Sequence, residues 1–271
     1  MPVRKDGTGK RWVEMELIVP GTPEQVWQAI ATGPGYTAWF TPTTIDERVG
    51  GAIQFDFGEN GESKGEVTVW EPPSRFGYVE RDWGEGVPPL ATEVTVTARS
   101  GDRCVVRMVH SLFASTDDWD DQLEGFEGGW PAFFEILRLY QSHFSGMKAA
   151  VAFAMTRVDA PQLDVWKQLT EQLGLAGLNV GERWAPQAPE KLSSVVEHIE
   201  QSDRQRYIVA RLDEPAPGIG LVAAYGSGAS TRVNITFYLY GDEAAQRAAS
   251  SEPAWRSWCL QTVHALERAQ P

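Results

Sequence analysis

Cysteine is nearly absent from this sequence: Cys104 and Cys259 are the only two in 271 residues, one in each half. Two isolated thiols build neither a disulfide framework nor a zinc site, so both are expected to be small buried residues. Basic runs are lacking too. With 24 Lys and Arg against 37 Asp and Glu, the formal charge is -13, and no cluster of cations is available to neutralise phosphates. Nucleic acid and anionic membranes are set aside on that ground, and the acidity speaks mainly for solubility. No window approaches the roughly 20 apolar residues of a membrane span. The polar, basic stretch from Met1 to Arg11 has no apolar segment behind it and does not read as a signal peptide, which makes the cytoplasm the expected location. Gly-x-Ser-x-Gly is missing, and with it a nucleophile elbow. Gly226 and Gly228 read as a hairpin turn, because no strand-to-helix context makes them a phosphate loop. The acidic run Asp117, Asp118, Asp120, Asp121, Glu124 and Glu127 lacks calcium-loop spacing and reads as a solvated loop favouring a helix N-terminus. No metal and no cofactor is expected.

Flat side chains are plentiful, with 11 Trp and 11 Phe. They suit deep cores and equally the walls of a cavity. Residues 14–19 alternate like a strand. Thr22 then reads as an N-cap with Pro23 at the first helical position, and Val26, Trp27 and Ile30 follow at helical spacing. The Gly33-Pro34-Gly35 run is expected to stop that helix, before a short helical turn with Tyr36, Trp39 and Phe40. Strand-like segments over 53–57, 65–70, 75–82, 91–98 and 104–112 are separated by turn residues, which implies an antiparallel meander. Gly128-Gly129-Trp130-Pro131 then leads into a helix whose apolar stripe is Phe133, Phe134, Leu137, Tyr140 and Phe144.

After a joint at 146–150 the pattern recurs. A strand over 151–158 precedes Ala160-Pro161 and a helix with Val165, Trp166 and Leu169. Glu182 to Trp184 stands where the first sheet begins. Strands follow over 195–199, 207–212, 221–225 and 232–240, with a closing helix from Pro253 to Leu266 that carries Trp255, Trp258, Val263 and Leu266. Three echoes fall in the same order: Pro23 with Val26-Trp27 and Pro161 with Val165-Trp166; Arg75-Phe76-Gly77-Tyr78-Val79 and Arg204-Gln205-Arg206-Tyr207-Ile208; the Trp130 helix and the Trp255 helix. They point to a duplication. The fold class is α+β: two tandem units, each an antiparallel twisted sheet wrapped around a long C-terminal helix. A gap between such a sheet and helix is a common place for an apolar ligand.

The first copy, 14–146, resembles the SRPBCC (START/Bet v 1-like, helix-grip) superfamily, and more narrowly its Hsp90-ATPase-activator-homologue type. The resemblance rests on Pro23-Glu24-Gln25-Val26-Trp27, Trp39-Phe40, Arg48-Val49-Gly50-Gly51, Glu71-Pro72-Pro73-Ser74-Arg75-Phe76, His110-Ser111 and Gly129-Trp130. The second copy, 150–268, keeps the skeleton without the Gly-Gly and Pro-Pro motifs and is expected to serve as the scaffold or as a dimer-like partner packed against the first.

Strand alternation turns Phe55, Phe57, Val67, Val69, Phe76, Tyr78, Glu80, Val94, Val96, Met108 and His110 toward the gap, with Asp82 on the face of Glu80. Trp39 and Phe40 join them, and Trp130, Phe133, Phe134 and Leu137 face them from the helix. Ordinary core packing explains the same list equally well. His110 suits a structural histidine or a group meeting a ligand carbonyl, while Glu80 suits acid–base work if burial raises its pKa. The resemblance implies three functions. One is sequestration or transport of an apolar, aromatic or lipid-like molecule. Another is an aromatase/cyclase acting on a polyketide-type substrate. The third is association with a chaperone or a second copy of the chain.

Overall fold

The computed structural model describes residues 3–81, 86–113, 119–202, 205–227 and 230–269. Asp82, Asp117, Asp118, Arg204 and Gly228 lie outside the described residues, as do the side chains of Asp120, Asp121, Glu124, Glu127, Val263 and Leu266. The chain divides into two compact units, Met1–Gly146 and Met147–Pro271.

In the first unit, β1 (Arg4–Lys5) and β2 (Lys10–Pro20) lead to α1 (Pro23–Ala31). Thr22 closes a capping box: its hydroxyl accepts from the Gln25 amide, and the Gln25 side chain accepts from the Thr22 amide at 2.9 Å. The next helix, α2 (Gly33–Thr37), begins inside the Gly-Pro-Gly run rather than after it. Thr32 explains this, since its hydroxyl accepts from the Gly35 amide at 3.1 Å and restarts the helix at once. Gly35 is required for packing, because a Cβ there would stand 1.9 Å from the Gln28 carbonyl oxygen of α1. The Trp39 indole then donates to the Ala29 carbonyl at 2.9 Å and ties the segment after α2 to the end of α1.

Six strands follow: β3 (Thr43–Ile45), β4 (Ala52–Asp56), β5 (Glu62–Glu71), β6 (Arg75–Glu80), β7 (Leu90–Arg99) and β8 (Arg103–Phe113). The sheet order is β1-β2-β8-β7-β6-β5-β4-β3, antiparallel throughout. The last helix, α3 (Asp120–His143), packs on β2 and β8. It starts within the acidic run, so the part of that run from Asp120 to Glu127 is helix and not loop. Carboxylates favour a helix N-terminus, and Pro131 is accommodated inside the helix.

The second unit is built from β9 (Ala149–Val158), α4 (Gln162–Leu173), β10 (Arg183–Trp184), β11 (Ser193–Gln201), β12 (Gln205–Glu214), β13 (Gly218–Ser227), β14 (Ser230–Tyr240) and α5 (Ala244–Ala269). Its order is β10-β11-β12-β13-β14-β9, and α5 packs on β9 and β14. This helix starts well before Pro253, which sits in its interior. Each unit is thus an antiparallel sheet with a long C-terminal helix packed on it.

The two units repeat in detail. The Gly50 amide donates to the Val67 carbonyl and the Val67 amide to the Gly51 carbonyl, both at 2.8 Å; Gly181, Val196 and Glu182 repeat the pair at 2.8 and 2.9 Å. A β-bulge follows Val67 in one sheet and Val196 in the other. The Trp184 indole donates to the Leu173 carbonyl at 2.7 Å, as Trp39 does to Ala29. These anchors correct one sequence echo. Val67 pairs with Tyr78, and its counterpart Val196 pairs with Ala210. Tyr78 therefore corresponds to Ala210 and not to Tyr207. The three-residue offset is odd, so it moves every side chain to the other face.

Candidate functional site

Directly paired residues share a face of a sheet. The pairs Val67–Tyr78, Tyr78–Thr92, Thr92–His110 and His110–Val13 make one row across five strands of the first unit. Phe76, Val94, Val96 and Met108 flank this row and are buried on the same face. Val69 leaves the list. The bulge after Val67 breaks the alternation, so Val69 pairs with Gly77 on the outer face, while Trp70 pairs with Phe76. Trp70 meets Trp27 at 5.1 Å and Phe76 at 5.7 Å between ring centroids.

The aromatic candidates converge. Trp130 stacks on Phe40 at 4.8 Å and on Phe134 at 5.7 Å, and lies 6.0 Å from Trp39. Phe40 meets Phe55, Phe57 and Phe133 edge to face at 5.8, 5.9 and 4.9 Å. Phe40, Phe57 and Phe133 are half-buried, whereas Trp39, Phe55 and Leu137 are buried. In this structure the rings pack against one another in the space they line.

Within that apolar setting stands a group of polar side chains. His110, 2% exposed, stacks on Trp130 at 5.3 Å, and its Nδ1 lies 2.8 Å from the Thr92 hydroxyl. The Tyr78 hydroxyl interacts with Thr92 and with Tyr36. Tyr36, on α2, is fully buried; its hydroxyl interacts with that of Tyr78 but has no partner within hydrogen-bond geometry. Two residues along β6, Glu80 accepts a hydrogen bond from the Ser63 hydroxyl. Burial sets the charge state of the whole group. It lowers the His110 pKa to about 3, so the imidazole is neutral. It raises both tyrosines, with the Glu80 carboxyl adding to the effect. It raises Glu80 as well, against the Ser63 hydrogen bond. The row thus offers hydroxyls and a neutral imidazole in a water-poor setting, beside a carboxyl biased toward its protonated form.

Sequence reasoning found Tyr78, Glu80 and His110 but missed their partners. Thr92 was legible, because it alternates in phase with Val94 and Val96. Ser63 and Tyr36 left no such signal. Arg11 was missed too. It pairs with Leu112, which places it on the inner face, and it is buried at 6% exposure. Among the described residues no cluster of His, Cys, Asp or Glu is placed to hold a metal, and no helix is long and apolar enough to cross a membrane. A separate open hollow on α5, lined by Glu252, Pro253, Arg256, Ser257 and Leu260, has none of these features.

The architecture of both units is the helix-grip fold. Residues 20–141, within the first unit, match the family model described as Activator of Hsp90 ATPase homolog 1-like protein. Solved structures that resemble the chain include CalU16, DynU16 and BexL. CalU16 from Micromonospora echinospora is 20% identical over 52% of this chain and 83% of its own, with a TM-score of 0.42. DynU16, from the dynemicin biosynthetic locus, is 16% identical over 96% and 99%, with a TM-score of 0.43. BexL, the di-domain ARO/CYC of the BE-7585A biosynthetic pathway, is 16% identical over 96% and 100%, with a TM-score of 0.45. No curated protein matches the chain.

Proposed function

We propose that the first unit holds a largely apolar small molecule between its sheet and α3, with the buried polar row recognising one functional group on it. One observation carries this reading: the polar row belongs to one copy only. By register, Tyr78, Thr92 and His110 correspond to Ala210, Gly220 and Phe237. A helix-grip unit therefore packs well with apolar groups at these places, and buried polar groups are costly in a core that does not need them. Keeping them in the first unit suits recognition of a ligand. Its entry displaces rings at the half-buried end, where Phe40, Phe57 and Phe133 meet.

Thermal unfolding against a panel of aromatic and lipid-like compounds tests this. A saturable rise in Tm is expected for the wild type and a smaller one for Tyr78→Phe. A panel without a single stabilising compound would remove the reading.

One observation favours catalysis as a second reading. Glu80 is a buried carboxyl biased toward protonation beside two tyrosines, an arrangement that can protonate a substrate carbonyl. Incubation with a poly-keto substrate decides it, since unchanged products from Glu80→Gln, His110→Ala and Tyr78→Phe would exclude aromatase/cyclase chemistry. The family description also implies association with an Hsp90-type chaperone, which a pull-down with that chaperone tests directly.

A further inference from the structure

We infer that Tyr36 is the anchor of this site and, with Tyr78, takes the carbonyl oxygen of a flat, uncharged aromatic ketone. The inference rests on the binding reading above and deepens it by naming the ligand's class. Tyr36 has no exposed surface, and among the described residues its hydroxyl has no partner within hydrogen-bond geometry. Other buried hydroxyls of the unit are engaged: Thr41 with the Asp56 carbonyl, Thr43 with the Thr41 carbonyl, Thr92 with His110. A buried donor left unpaired is a cost that phenylalanine would avoid.

The position of the hydroxyl is nonetheless well defined. The Tyr36 ring stacks on Trp39 at 5.2 Å and meets Phe55 edge-on at 5.6 Å. Close packing at Gly35 holds α2 against α1. Two hydroxyls delivered by different elements to one point fit a single oxygen with two lone pairs, as a carbonyl has. Preset donors also lose little freedom when they bind. The surrounding rings of Trp39, Phe40, Phe55 and Phe76 ask for a flat partner.

The charges facing the spot disfavour an anion. Glu80 lies on the near side. Arg11 stands three strands from Tyr78, roughly 14 Å at ordinary strand spacing, and has interactions of its own. Phe40 controls access. It is half-buried, 6.2 Å from the Tyr36 ring and 4.9 Å from Phe133, which puts it between the anchor and the half-buried end of the ring cluster. The second unit has no counterpart: no helix stands between α4 and β10 among its described residues, and Ala210 replaces Tyr78.

The test compares 1-tetralone with tetralin, the same fused rings without the carbonyl, by calorimetric titration of the full chain. Wild type is expected to prefer 1-tetralone by about tenfold or more, as one or two buried hydrogen bonds imply. Tyr36→Phe keeps the shape of the ring. It should lose that preference, bind tetralin as before, and unfold at the same or a higher Tm without ligand. A variant that still prefers 1-tetralone, or a wild type that binds both compounds equally, overturns the inference and leaves the binding reading standing. A wild type that binds neither compound overturns the inference, and failure of the wider panel would remove the binding reading too.

Discussion

His110 and Phe237 occupy the same register position in the two sheets, each against the tryptophan of its unit's last helix. The centroid distances are 5.3 Å from His110 to Trp130 and 4.7 Å from Phe237 to Trp255. The neighbouring position differs in step. A Cβ on Gly220 would stand 3.2 Å from the Phe237 ring, whereas Thr92 meets the smaller imidazole with a hydrogen bond. One copy spends this place on apolar filling, and the other on polar groups.

Exchanging His110 for the residue of the other copy isolates its titration. Burial lowers its pKa from 6.5 to about 3. Between those values the unfolded chain binds a proton that the folded chain refuses, so the wild type loses stability as pH falls through that window. In His110→Phe the urea midpoint should fall less between pH 6.5 and about 3. Equal falls in both proteins would assign the acid lability to other groups.

Glu80 acts in the opposite sense. Its folded pKa lies above 4.5, so the folded chain keeps a proton that the unfolded chain has released. Its contribution is therefore most favourable below pH 4.5 and is lost as pH rises through the folded value. Glu80→Gln keeps an acceptor for Ser63 and removes this loss. At neutral pH the variant should be at least as stable as wild type by urea denaturation, and a clear drop would show that the ionised carboxylate is needed.

Thr92→Val keeps the shape of the side chain but strips His110 Nδ1 of its 2.8 Å partner. The loss should be about 1–3 kcal/mol by denaturant titration. A neutral result would mean that the imidazole repairs its bonding elsewhere.

Two glycines should respond oppositely to alanine. At Gly35 the new methyl meets the Gln28 carbonyl oxygen at 1.9 Å, so α2 must leave α1; about 3 kcal/mol of stability should be lost. At Gly129, inside α3, a Cβ meets nothing within 4 Å, and alanine should gain roughly 0.5–1 kcal/mol. Equal effects at the two sites would contradict the packing of α2 on α1.

Much of this molecule was legible locally. Thr22-Pro23 announced α1, the turn residues separated the strands, and Trp130 and Trp255 marked the two closing helices. Unbroken alternation turns Val69 inward, while the bulge after Val67 reverses it. Residue similarity matches Tyr207 to Tyr78, while pairing through Val196 selects Ala210. Tyr36 reads in the sequence only as part of a short helical turn, since nothing adjacent to it reveals that α2 aims it at β6.

Periodicity, caps and turns are properties of neighbouring residues, so the order of the elements, the repetition of the unit and the chemistry available to each core are written along the chain. Which polar groups meet is set by packing between distant elements. Tyr36, Tyr78, Thr92 and His110 come from four separate elements, and their meeting depends on strand register, one bulge and the packing of α2, none of which is a local property of the chain.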